Sequence, residues 1–504
     1  MRRLVVLAVV GVGCNGPKRA ATPAVASDEL HVAIWRGDTA AVARLVAAGA
    51  DVNAPDGHRV PAWQYAVLEH DPHMLELLRG PFAGDDVDKR VALDIAVSSN
   101  DFAIARALLA SKFSLDRPHG TPTLAIAAAN ASPEMMALLL ERGAPIDARD
   151  REGDTALVAA RRAGCDACVE MLRAHGAAIA APPAAAEVPG TLSIRDALAR
   201  SVPLVVREGA HWTNSPGCES CHHQPMALQV IALAEQHGLA IDGAQASRVR
   251  EAMRADNAKF AAQVFDPIAA DPAAILRASM ETFGDLAFAN AWFLSAMIDA
   301  GEPHGHAEEV AARVQAELQQ PDGRWRHGPT RGAIESSDIV ATALAARVIA
   351  AYAPGAATDA RVAASRRWLL AAAPATGLDR VYKLNGLAWT HAEPAAVAAA
   401  AAELRAHQLP DGSWSHAGNA GDALTTGLAL VALHRGAGVA PDDPVYRRGV
   451  EFLLRTQDAD GSWFVASRAA PLLPYFDSGF PHGRHQFVSF AGTASASLAL
   501  MLAL

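Results

Sequence analysis

Six residues in this 504-residue chain, Cys218-Glu219-Ser220-Cys221-His222-His223, bring two thiols and two imidazoles together within one turn of chain. Thiols three apart followed at once by histidine form the spacing that carries a c-type haem. Each sulfur adds to one haem vinyl group, and His222 then sits where it ligates the iron. With only five cysteines in the chain, a chance Cys-x-x-Cys-His is improbable. The same donors support two other readings. A Cys218–Cys221 disulfide in an exported protein needs no cofactor. A zinc or other metal centre uses the sulfur and nitrogen lone pairs, with His222 and His223 joined by His482 and His485 from the far end of the sequence.

Those last two lie in Tyr475-Phe476-Asp477-Ser478-Gly479-Phe480-Pro481-His482-Gly483-Arg484-His485-Gln486, a string of aromatics, an acid and two histidines. It reads either as a capping loop with half-exposed histidines or as a source of ligands. For a haem iron the sixth ligand comes from His211 or from this run, because Met226 is too close in sequence to reach the opposite face. A second pair, Cys165-Asp166-Ala167-Cys168, is open to three readings. Its sulfurs join Cys218 and Cys221 around one metal, fill a helix seam as small apolar groups, or close a disulfide.

The elements that position these residues are helical throughout. Before the motif, self-similarity recurs about every 32 residues, anchored by Ala33, Ala66, Ala96, Ala127 and Ala159. Leu45 to Ala54 (LVAAGADVNA), Leu138 to Ala148 (LLLERGAPIDA) and Gly153-Asp154-Thr155-Ala156-Leu157 surround the anchors. Small alanines let paired helices approach, leucines fill the seam and Gly-Ala closes the second helix. These units resemble ankyrin repeats, which implies five copies over 28–180 and a protein partner. The second and third copies depart from the pattern at Trp63-Gln64-Tyr65 and Leu93-Asp94-Ile95.

A Pro/Ala-rich linker at 181–190 has no core-forming period. From 191 to 504 helical periodicity returns, with three copies of Gln-x-x-Asp-Gly-x-Trp at 319–325, 408–414 and 457–463. Offsets of 89 and 49 residues leave room for a degenerate unit near Trp368. Glycine supplies the positive φ of the turn, and the indole anchors the joint. The repeats resemble those of terpenoid cyclases and protein prenyltransferases, the squalene–hopene cyclase group. That likeness implies an (α/α) toroid and an apolar small molecule within it. Such cyclases use an Asp-x-Asp-Asp acid, and the prenyltransferases use a zinc held by Asp, Cys and His. This chain has no Asp-x-Asp-Asp and no cysteine after Cys221. The whole arrangement resembles bacterial envelope proteins that join ankyrin-like repeats to a cyclase-like toroid.

Composition bounds the rest. A net charge of −10 and 19% charged residues argue against nucleic acid, whose binders present a basic face. Met1-Arg2-Arg3, the apolar run Leu4–Val12 and Gly13-Cys14 read as a signal segment over 1–27, with Cys14 as the site of lipid attachment. The expectation is therefore an all-α protein, an ankyrin solenoid followed by an (α/α) toroid. It is exported to the periplasm or outer membrane, binds protein, and carries either haem c for electron transfer or redox sensing, or zinc. A cyclase-like or apolar-ligand role for the toroid and a purely structural scaffold are the alternatives.

Overall fold

The computed structural model describes residues 28–54, 61–68, 71–78, 86–110, 113–115, 121–150, 153–178, 192–212, 223–281, 285–327, 337–468 and 478–504. The signal segment with Cys14, the linker, and Cys218, Cys221 and His222 lie outside them. The described chain is all-α.

Ten helices pair in succession before the linker: α1 (Asp28–Trp35) with α2 (Thr39–Ala47), α3 (Ala62–Leu68) with α4 (Pro72–Leu77), and α5 (Asp86–Ser98) with α6 (Phe102–Leu109). After them α7 (Thr123–Ala129) pairs with α8 (Pro133–Glu141), and α9 (Ala156–Arg162) with α10 (Asp166–Ala174). Ala66, Ala96 and Ala127 are fully buried where neighbouring units stack. The second helix of a pair starts on a repeated side-chain cap. Asp38, Asp71 and Asp101 accept the N–H of Ala41, Met74 and Ile104 at 2.8, 2.9 and 3.0 Å, satisfying a donor the helix leaves free.

In the fifth unit Cys165 takes that capping position, and its Sγ accepts the Cys168 N–H at 3.2 Å. The two cysteines form a disulfide, with Cα atoms 5.2 Å apart. This corrects the readings that made them metal-bound thiolates or independent thiols. A cap and a residue three further on face each other across one helical turn, which brings the sulfurs within bonding range. Both are buried with the array core, Cys168 completely.

After the linker the outer helix α11 (Ile194–Trp212) leads into the inner helix α12 (His223–Gln236). Outer α13 (Gly243–Phe260) continues through a π-helical turn, Ala261–Phe265, and a short α14 (Asp266–Ile268). The excursion α15 (Pro272–Glu281) then precedes inner α16 (Asp285–Ala300). Outer and inner helices then alternate: α17 (His306–Glu317), α18 (Asp338–Tyr352), α19 (Ala356–Ala371), α20 (Gly377–Trp389), α21 (Pro394–Ala406), α22 (Ala423–Ala437), α23 (Pro444–Thr456) and α24 (Gln486–Met501). Inner helices α12, α16, α18, α20, α22 and α24 each pack on the next, and α24 returns to α12 and α11. An outer helix intervenes each time, so all six inner helices run the same way and begin at one end of the ring.

The three glutamine–tryptophan turns weld this circuit by one repeated set of bonds. Each glutamine reaches from its own outer helix to the backbone of the next: Gln319 Nε2 to Arg361 O at 2.9 Å, Gln408 to Val445 O at 2.8 Å and Gln457 to Ala197 O at 3.0 Å. The last bond lands on α11, so the third turn closes the ring on its first helix. Each indole N–H caps a carbonyl of its own outer helix, Gln315, Leu404 or Leu453, at 2.7–2.9 Å. The same tryptophan's backbone N–H bonds a threonine of the following inner helix: Thr342, Thr426 or Thr493. Gly412 has φ +92°, and a Cβ there would lie 2.3 Å from Arg448 O. No other residue fits that approach. The unit α19–α20 intervenes between the first two copies, and its turn lacks these residues.

Trp463→Ala removes a fully buried indole and its hydrogen bond from the closing turn. Urea denaturation is expected to show a loss of about 3–5 kcal/mol; a loss under about 1 kcal/mol would deny that turn its structural role.

Candidate functional site

The end of the ring where the inner helices begin holds His223, His482 and His485. There α11 ends and α12 begins, and residues 213–222 between them lie outside the described residues. His223 opens α12 and is buried, its ring stacked on Phe490 with centroids 4.0 Å apart and edge-on to Phe487 at 5.6 Å. Both phenylalanines belong to α24, so ring closure brings the motif's last histidine against the C-terminal helix. The 3-10 turn Gly483–His485 delivers His485 to the same end. Phe464 lies between the two C-terminal histidines, 5.5 Å from His482 and 5.1 Å from His485.

The two C-terminal imidazoles are committed to protein partners. His485 Nδ1 accepts the Ser467 N–H at 3.0 Å, which places the proton of a neutral ring on Nε2. Burial, followed by the charges of Arg484 and Arg162, pushes its pKa down to about 3. His482 Nε2 lies 2.8 Å from Ser462 Oγ, whose own hydrogen goes to Asp460 Oδ1 at 2.6 Å. The serine therefore accepts from the imidazole. Burial also lowers the His482 pKa, opposed by Asp458 and Asp460. Among the described residues no group of three His, Cys, Asp or Glu side chains could hold a metal ion.

Aspartates at the starts of inner helices tie loops to them at the same end. Asp338 Oδ1 accepts from His327 at both its backbone N, 3.0 Å, and Nδ1, 2.9 Å, while Arg324 Nη1 meets Oδ2 at 2.9 Å. Burial works to raise this carboxyl, yet His327 and Arg324 outweigh it and hold the pKa at about 2. Arg468 pairs with Asp422 at 3.0 Å.

The helical array sits on this end. Arg484 extends from the 3-10 turn into the fourth and fifth units, 2.7 Å from Asp150 Oδ2, 3.5 Å from Asp154 Oδ2 and 3.4 Å from Thr121 Oγ1. The guanidinium of Arg162 lies 5.6 Å over the Phe464 ring, and Asn130 Nδ2 donates to Arg468 O at 3.4 Å. Backbone meets backbone at Gly418, where a Cβ would fall 2.3 Å from Ala163 O.

Sequence reading missed a charged cluster nearer the other end of the inner helices. Asp299 accepts from Arg347 Nη2 at 2.6 Å and from Gln229 Nε2 at 2.6 Å, with Arg435 Nη1 at 3.5 Å. These side chains come from α16, α18, α12 and α22, so they meet across the middle of the ring. Arg347 also donates to Ser295 Oγ at 2.8 Å and lies 4.4 Å over the Trp389 ring. Burial favours a protonated Asp299, but the arginine charges and hydrogen bonds win and keep it below the usual range. It is thus a fixed carboxylate, unlike the protonated acid a cyclase requires. The available signal was Asp299 and Arg347, each set among apolar residues in the C-terminal half of α16 or α18.

The depressed His485 pKa fixes the sign of one pH effect. The unfolded chain takes up a proton near pH 6.5 that the folded ring refuses until about 3. Stability is therefore present above 6.5 and lost as pH falls, by up to about 1.4 kcal/mol per unit. His485→Asn is expected to remove that share of the slope between pH 6.5 and 4.5 in thermal melts. An identical slope in both proteins would rule it out.

Comparison with known proteins bears on the array. Residues 93–182 match the family model described as ankyrin repeats (3 copies), and residues 29–57 match the ankyrin repeat. Solved structures similar to the chain include the human ASB11 ankyrin repeat domain, at 25% identity and TM-score 0.26, covering 30% of this chain and 69% of that one. The ankyrin repeat domain of Bcl-3, a member of the IkappaB protein family, matches at 27% identity and TM-score 0.27, covering 36% and 83%. A protein from Actinoplanes matches at 17% identity and TM-score 0.39, covering 62% and 99%. The family-model matches identify residues 29–57 and 93–182 of the N-terminal array as ankyrin repeats, which point to protein–protein interaction.

Proposed function

We propose that the chain is a redox protein of the bacterial envelope. In this reading the helical ring holds a c-type haem on Cys218 and Cys221, with His222 as an iron ligand, and the ankyrin array binds protein. The observation that carries it is the Cys-x-x-Cys-His spacing of residues 218–222. The helices on either side of it, α11 and α12, meet at the ring end that the array faces. A prosthetic group there would lie beside the surface that engages protein.

The donor set suits the group, because two thiols match two vinyl groups and an imidazole matches iron. Bound haem would supply one-electron transfer. The protein's own contribution would be the aromatic wall of Phe487 and Phe490 behind His223, which limits water near the site. His485, whose Nδ1 accepts from Ser467, carries its proton on Nε2 when neutral, so a sixth ligand would come from elsewhere. The Cys165–Cys168 disulfide supports an oxidising compartment, where both disulfides and thioether attachment form.

A zinc site would draw on the same loop, with His223, His482 or His485 giving up their present contacts. A cyclase-like activity has less support, because Asp299 lies between two arginines. That cluster also sets polar groups in the way of an apolar ligand at its end of the ring.

Expression with a haem-attachment system is expected to yield a Soret band that survives denaturation and is lost in Cys218→Ala/Cys221→Ala. Colourless protein with stoichiometric zinc would replace haem by the metal reading. Colourless, metal-free protein would leave the ankyrin scaffold alone.

A further inference from the structure

We infer that the Cys165–Cys168 disulfide is a site of thiol–disulfide exchange with an external dithiol protein, and that its state is felt where the ankyrin array meets the ring. The bond joins the capping residue of α10 to a residue in the first turn of the same helix, at a sequence separation of 3. So short a loop removes little freedom from the unfolded chain. The cap itself is supplied elsewhere without sulfur, since Asp38, Asp71 and Asp101 hold the equivalent position in three other units with a carboxylate. A disulfide is more than this helix start needs in order to fold.

Reduction leaves a sulfur suited to the same position. A Cys165 thiolate stands where those aspartates put a carboxylate, and its Sγ already accepts the Cys168 N–H at 3.2 Å. The start of a helix favours negative charge and activates cysteine there. Cys165 keeps 7% exposure and Cys168 none, so the entering thiolate attacks Cys165 Sγ. The Cys165–Cys168 bond breaks, and Cys168 leaves as a thiolate that takes up a proton. The donor's second thiolate then attacks its own sulfur in the mixed disulfide and releases Cys165, so that two electrons and two protons pass from dithiol to protein. The ring lies one residue away. Ala420 N–H donates to Ala163 O at 3.4 Å, and a Cβ on Gly164 would lie 2.5 Å from Ala420 N. Opening the disulfide frees the turn that carries Ala163 and Gly164 from its covalent tie to α10, and the seam with the ring opens more often.

Peptide-resolved thiol labelling of quenched samples and amide hydrogen exchange test this on the full chain, before and after about 1 mM dithiothreitol. The folded protein is expected to gain labelled thiols at Cys165 and Cys168, and exchange in 416–420 to rise about threefold or more while α22 stays protected. Cys168→Ser should take up glutathione on Cys165 from oxidised glutathione. Cys165→Asp/Cys168→Ala, which restores the carboxylate cap of the other units, should fold and show no response to dithiothreitol in 416–420. A disulfide that stays closed until the array unfolds, or a Cys168→Ser protein that takes no glutathione, would overturn the exchange site. Exchange in 416–420 that reduction leaves unchanged, or changes equally in Cys165→Asp/Cys168→Ala, would overturn its coupling to the ring.

Discussion

Arg484 links the two halves of this protein by ion pairs. Arg484 leaves the ring on a 3-10 turn and meets Asp150 and Asp154 of the ankyrin array, with Asp150 almost fully enclosed. A carboxylate so placed needs a nearby cation, because the penalty for an unpaired buried charge is several kcal/mol, of order 3–5. Further contacts accompany that seat: Arg162 over Phe464 and Gly418 against Ala163. The array is therefore partly occupied by its own chain. Any external protein it binds must use the surface that remains, or displace the ring.

Arg484 can be presented only because the ring closes. The glutamine at each turn grips the next outer helix, and for the third turn that helix is the first one of the ring, through Gln457 and Ala197. Ser497 on α24 meets Ser201 on α11 at 2.8 Å in the same seam. Closure also sets His223 against Phe490, so residues 267 positions apart share one end. Charge organisation differs between the ends. Where inner helices begin, aspartates such as Asp338 and Asp422 hold loops and arginines. Further along, Asp299 and two arginines bridge opposite walls and fix that part of the interior.

Much of this was legible in the sequence, for physical reasons that differ by region. The alanine anchors at a spacing near 32 and the Asp-Gly turns with tryptophan predict stacked helix pairs, since small residues and positive φ admit few alternatives. The second ankyrin unit, with Trp63 and Tyr65, was weakly written, and the family model matches likewise leave it uncovered. Local spacing could not decide the state of Cys165 and Cys168, because thiol, thiolate and disulfide share one sequence pattern; the capping geometry of α10 decides it. Asp299, Arg347 and Arg435 were invisible as a cluster, because they lie far apart in sequence and meet only when six helices close. Arg484 carries no local signal of its role, because its partners Asp150 and Asp154 lie more than 300 residues earlier in the chain.

The most direct test of the seated arrangement is amide hydrogen exchange of the full chain with and without Arg484→Glu. If Arg484 holds the array on the ring, the substitution will speed exchange on both faces of the contact, in 160–165 and 416–420, while the core of α22 stays protected. Unchanged exchange in both segments would contradict the account, and would mean that array and ring do not depend on this contact.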